Sequence, residues 1–216
     1  KEYVNTIDPL GRSWAYGEAY LLKKYSSPLR YERNQEHELH TKEIDTLELL
    51  LSKQVGGNVL IVGNEGSGKM EIIEGLKRKT LRNNRDSLRD IEYIVLSIDT
   101  LLATSSDNAE FEQIIITILR ELNRSGNMVC VIPDLPELIR GASHIGVDMM
   151  SILTPYLTAN TIRIIAISNT QEFHTELEQN TDLLKHFEIL SIPEGSLEEI
   201  STVLFDTVRD IEASIG

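Results

Sequence analysis

A three-layer α/β/α sandwich on a mainly parallel five-stranded sheet is the fold this sequence predicts. Two observations carry the prediction. Five short apolar runs recur along the chain: NVLIV at 58–62, YIVLSI at 93–98, MVCVI at 128–132, IRIIAIS at 162–168 and FEILSI at 187–192. Stretches with the spacing of a helix face lie among them, and apolar strands alternating with helices imply a parallel sheet covered on both faces.

The elements follow in order. Residues 1–35 form a polar lead spotted with Trp14, Tyr16, Tyr20, Tyr25 and Tyr31. Amphipathic rings commonly dock such a segment onto its domain, and a contact to a partner or a nucleotide base is the alternative. The main α/β domain is expected over 36–195. TKEIDTLELLLSKQ places apolar residues at 44, 47, 50 and 51, one face of a helix that Gly56 and Gly57 end. After the first strand, EIIEGLKRK reads as a helix with its basic residues at the C-terminal end, where the dipole favours them. EFEQIIITILREL, between the second and third strands, is an amphipathic helix.

Composition narrows the function. Of 216 residues, 34 are acidic and 21 basic, a formal charge of −13. A surface this acidic repels phosphate backbones and argues against general nucleic-acid binding. No apolar run approaches the length that spans a bilayer, which argues against membrane contact by this segment. Cys130 is the sole cysteine, so the chain holds no internal disulfide. It reads as a small core residue of the third strand, compatible with a reducing cytoplasm. The chain begins with Lys1 and reads as a piece of something longer. His37 and His40, with no convergent third ligand nearby, read as solvent-exposed histidines rather than a metal pair.

One motif carries chemistry. Gly63, four residues, Gly68 and Lys69 match a phosphate-binding loop, with a strand before it and a helix after it. Glycines let backbone N–H groups turn toward phosphates, and the helix N-terminus adds positive potential. Lysine reaches the terminal phosphates. The candidate binding residues for ATP or ADP are Gly63, Asn64, Glu65, Gly66, Ser67, Gly68, Lys69 and Met70. Met70 stands where the template has a hydroxyl for Mg2+. A thioether is a soft, weak ligand, whereas Mg2+ wants hard oxygen.

Taken together, the motifs resemble the first nucleotide-binding module of the Clp/Hsp100 chaperones in the AAA+ family of P-loop NTPases. The likeness runs in order from about residue 39 to 205. It includes TKEIDTLELLLSKQVGGNVLIVGNEGSGKMEIIEGLKRK, IVLSIDTLLA, AEFEQIIITILREL and ILTPYLTANTIRIIAISNTQEF. WAYGEAYLLKKYS also resembles N-terminal segments of some Clp-like proteins of small-genome bacteria. The resemblance implies a nucleotide-driven protein remodeller, working with other AAA+ subunits or domains of one assembly on protein substrates.

It also implies catalytic positions, several of them altered here. The family's third strand ends in Asp-Glu. VCVIPDLPEL puts Pro133 and Asp134 there, or Asp134 and Leu135 one step along, and neither register supplies both carboxylates. Asn169 matches the polar residue that orients the attacking water. Lys185 and His186 stand where paired arginine fingers lie, and Leu39 and His40 replace a Gly-Arg box. The substrate-gripping aromatic of the pore loop falls on Asp107, between Ser106 and Asn108. Residues 196–216 resemble the first helix of the family's α-helical lid. Three readings stay open: a degenerate module that binds nucleotide weakly, with a regulatory or structural role; a working ATPase; and a scaffold that binds no nucleotide.

Overall fold

The computed structural model describes residues 20–31, 40–53, 57–82, 88–104, 107–159 and 161–193. Trp14, Tyr16, His37, Leu39, Ser106 and the expected lid helix lie outside them. Six strands form one sheet: β1 (Ser26–Pro28), β2 (Val59–Val62), β3 (Glu92–Leu96), β4 (Met128–Ile132), β5 (Arg163–Ser168) and β6 (Glu188–Ser191). Their order across the sheet is β1-β3-β4-β5-β2-β6. All pairs are parallel except β1 with β3.

The five predicted strands are present, and the three-layer α/β architecture with them. The sheet has a sixth strand that the sequence pattern did not announce. Residues Ser26–Pro28 pair antiparallel with β3, Ser26 opposite Leu96 and Pro28 opposite Ile94. Ser-Ser-Pro has neither apolar content nor a period to mark a strand. It is held by backbone bonds, with Ser97 N–H donating to Tyr25 O at 2.8 Å and Leu29 N–H to Tyr93 O at 2.9 Å. Proline is tolerated there because β1 is an edge.

Side-chain alternation along the strands sorts the helices into two layers. Val59 and Ile61 face one side of β2, and Leu60 and Val62 the other. On the first side lie α2 (Thr41–Leu51), with Ile44, Leu47 and Leu51 buried, and α3 (Lys69–Arg82), with Ile72, Ile73 and Leu76 buried. On the second lie α1 (Tyr20–Tyr25), α4 (Ile98–Thr104), α5 (Asn108–Ser125), α6 (Leu135–Ile145) and α7 (Met149–Thr158). The same layer holds α8 (Thr170–Glu172), which runs on as a π-helical turn over Phe173–Leu177, and α9 (Thr181–Leu184). Tyr25 and Leu22 of α1 are each 1% exposed, so this part of the lead is built into the core.

Cys130 is buried in β4, and burial pushes its thiol up to about 12. Among the described residues, no helix is long and apolar enough to cross a membrane.

Candidate phosphate-binding site

Three parallel strands deliver their C-terminal ends to one edge of the sheet, where open α/β sheets place ligands. β2 leads into the loop of Gly63–Gly68, β4 into Pro133 and Asp134, and β5 into Asn169. The register aligns them, with Val62 opposite Ser168 and Ile132 opposite Ala166.

The loop is anchored at both ends. Gly63 N–H donates to Ser168 O at 3.3 Å, and Ile72 N–H to Gly68 O at 3.1 Å as α3 begins. Between them Ser67 N–H turns back onto Asn64 O at 3.2 Å. Gly66 and Gly68 have φ of +76° and +74°, a left-handed backbone that residues with a Cβ seldom adopt. Gly63 is packed as well as flexible: a Cβ there would lie 2.6 Å from Ser67 Oγ and 3.1 Å from Ile192 Cβ. α3 extends 14 residues from this point, and the N–H groups of its first turn have no acceptors within the helix. A loop of this form fits an anion.

Lys69 curls across the loop. Its ammonium donates to Gly63 O at 2.7 Å and Asn64 O at 2.5 Å. Burial lowers its pKa, while the carboxylates of Glu65 and Asp134 pull the other way. Asp134 is thus the carboxylate that the end of β4 brings toward the loop lysine.

Asp134 already has a structural task. It is the N-cap of α6, its Oδ1 accepting from Glu137 N–H at 2.8 Å. Pro133 has no ligand atom on its side chain. Asn169 likewise caps α8, its Oδ1 accepting from Gln171 N–H at 2.7 Å and Glu172 N–H at 3.1 Å. Met70 is half-buried and packs against the apolar cluster beneath α2 and α3. Position 70, where the template has the hydroxyl for Mg2+, therefore carries a thioether, and the acidic pair expected at the end of β4 is a proline at 133 and a carboxylate engaged in capping at 134. This donor set fits Mg2+ poorly, whereas the loop fits phosphates well.

The other expected positions have partners of their own. Lys185 pairs with Asp182 at 2.6 Å on α9. With His186 it lines an open cavity of about 580 Å³ against Met150, Thr154 and Pro155 of α7. Asp107 is the N-cap of α5, its Oδ1 accepting from Glu110 N–H at 2.8 Å, so it closes the loop that resembles the family's gripping loop.

His40 is placed differently from the solvent-exposed residue the sequence suggested. Its side chain is only 22% exposed. It precedes α2 with φ 62° and ψ 34°, the one positive-φ residue other than glycine among those described. Its ring lies against the phosphate loop: a Cβ on Gly68 would meet His40 Nε2 at 2.8 Å. The contact joins residues 28 apart through the α2–α3 packing, and no local pattern announces it.

No family model matches the chain. Among curated relatives, it is 28% identical over 165 residues to an ATP-dependent Clp protease ATP-binding subunit ClpA homolog of Cyanidium caldarium, covering 76% of this chain and 19% of that protein. It is 30% identical over 167 residues to the chaperone protein ClpB of Mycoplasma genitalium, covering 75% and 23%. The chain thus spans about a fifth of the length of the curated relatives it matches. Among solved structures, the S. cerevisiae Hsp104–ADP complex superposes with a TM-score of 0.71 at 21% identity, covering 85% of this chain and 32% of that one. The resemblance in sequence and the likeness in fold agree, and together they make this chain a Clp/Hsp100-like AAA+ module.

Proposed function

We propose that this module binds ATP or ADP weakly through the Gly63–Lys69 loop, hydrolyses it slowly or not at all, and serves as a structural or regulatory part of a larger chaperone or unfoldase assembly. One contrast carries the reading. The loop keeps Gly66 and Gly68 at positive φ and its lysine folded across it, while the metal side has been given to other work. Met70 packs on the core, Pro133 offers no ligand, and Asp134 caps a helix. Phosphoryl transfer depends on positioning and on neutralising charge, and removing one preorganised group of that kind commonly costs about 10²–10³ in rate.

The named relatives are a Clp protease subunit and a ClpB chaperone, and the structural neighbour was solved with ADP. Those names support nucleotide as the ligand, and other AAA+ subunits or domains and protein substrates as partners. The acidic charge supports a module that does not bind nucleic acid, and the reading places it in the cytoplasm.

Calorimetric titration with ATP and ADP, with and without Mg2+, tests this. Binding should be measurable, and Mg2+ should change Kd by less than about threefold. A large Mg2+-dependent gain, or robust hydrolysis that Lys69→Ala abolishes, would overturn the degenerate reading in favour of a working ATPase. No binding at all would leave only the scaffold.

A further inference from the structure

We propose that His40 makes the phosphate loop pH-sensitive: its imidazolium, pressed on Gly68, adds a positive charge that tightens anion binding as pH falls. The inference rests on the nucleotide-binding reading and deepens it, because it concerns the regulation of the same loop.

The geometry is specific. His40 Nε2 and Cδ2 lie 2.8 and 3.1 Å from the point where a Gly68 Cβ would stand, so the ring occupies space that only a glycine leaves. It is held there by a left-handed backbone at φ 62°, a conformation that residues with a Cβ seldom adopt. Packing of α2 on α3 maintains it, with Ile44 and Leu47 buried in the same cluster as Ile72 and Ile73. Gly68 belongs to the anion cradle, so a charge on the ring sits within a few ångströms of the loop.

The charged groups facing the ring come from both helices. From α2, Glu43 Oε2 lies 3.9 Å from His40 Nδ1. From α3, Glu71 Oε2 lies 3.1 Å from the same Gly68 point that His40 approaches. The loop itself contributes Glu65 and Lys69. Both carboxylates are near neighbours of the ring. An imidazole changes charge between about pH 5 and 8. Above that range the lysine is the loop's remaining cationic side chain, and two glutamates flank it. Below it a second cation faces the phosphates. A single charge within several ångströms of a bound phosphate, partly screened by solvent, corresponds to about a fivefold change in affinity.

The test compares the full chain with His40→Asn, since asparagine accepts the left-handed backbone and does not titrate. ADP is titrated calorimetrically at pH 8 and pH 5.5 in constant salt. Ionisation of the nucleotide's own phosphate is common to both proteins and cancels in the ratio of their Kd values. The native chain should gain about fivefold over His40→Asn on acidification. The reciprocal effect is read by proton NMR on the native chain, where saturating ADP should move the His40 titration midpoint up by about 0.7 in pH. Equal pH dependence in the two proteins, or a midpoint that ADP does not move, would overturn the inference while leaving nucleotide binding intact. His40→Asn binding more tightly at both pH values would also overturn it, by making the ring an obstruction. Absence of ADP binding in every protein at both pH values would overturn this inference together with the reading beneath it.

Discussion

The ends of β2 and β4 lie at one edge of the same sheet, yet they have been kept for different purposes. β2 runs into a loop whose form is fixed by its backbone. Gly66 and Gly68 take left-handed angles, Gly63 fills a gap with no room for a Cβ, and Lys69 closes the mouth. β4 runs into Pro133 and Asp134, where the family likeness implies a pair of acidic residues and this chain starts a helix. A cradle for phosphates needs backbone amides, which any correctly folded loop of this kind supplies. Metal-assisted hydrolysis needs particular side-chain oxygens at the neighbouring ends. The first requirement is met by conformation and the second by composition, so the two can part company in one site.

Lys69→Ala should have the largest effect. Charge-assisted hydrogen bonds contribute about 1.5–3 kcal/mol, so calorimetry should show nucleotide affinity falling roughly tenfold to a hundredfold. Undiminished ATP binding in this variant would break the comparison at its stronger end.

Asp134 offers the sharper test, because its two tasks can be separated. Asp134→Ala removes the α6 cap and should cost about 1 kcal/mol in denaturant unfolding. Asp134→Asn keeps a capping oxygen and removes the charge facing Lys69. ADP binding should then tighten by a few fold, since a carboxylate near the phosphates is gone. If Asp134→Asn instead weakens binding of ATP with Mg2+, Asp134 is a working metal ligand and the contrast between the two strand ends fails.

Rebuilding the metal side makes the same point in the other direction. Met70→Thr with Pro133→Asp should raise the Mg2+ dependence of nucleotide affinity above that of the native chain, seen as a gain of several fold on adding the ion. The substitution also exposes part of the core cluster that Met70 covers, so a melting curve should accompany the titration. No Mg2+ dependence in a well-folded double variant would show that the loss lies elsewhere.

The smallest effect is expected at Asp107. Its carboxylate caps α5, and Asp107→Ala should lower stability by about 1 kcal/mol. In an assembly of the kind proposed above, the rate at which a tagged folded substrate is unfolded should change little, because a short carboxylate offers no apolar surface to grip a chain. Loss of unfolding with assembly intact would give this loop an active role.

Asp134 shows where local reading stopped. The sequence around it carried a helix-start signal, Asp followed by Leu-Pro-Glu, with Gly146 at the other end. The family likeness drew attention to the same residue as a catalytic acid. The structure places it where both matter, capping α6 and close enough to Lys69 to affect its charge. The segments of α4 and α7 carry no separate local signal for a related reason: their apolar residues stand near those of strands, and short helices gain their stability from packing more than from propensity.

The amino-acid sequence alone determined the five parallel strands, since each carries a short run of apolar residues; β2 to β5 are largely buried, while β6, at the sheet edge, buries only Leu190. It determined the phosphate loop as well, because glycine and lysine at that spacing have a local meaning after a strand and before a helix. Tertiary structure decided what no local pattern could hold. β1 exists through backbone pairing of Ser-Ser-Pro with a strand about seventy residues away. The Asp134 carboxylate bears on the charge of Lys69 because parallel strands in register end at one level. His40 reaches Gly68 because α2 packs on α3 and because a glycine has no Cβ to keep the ring away.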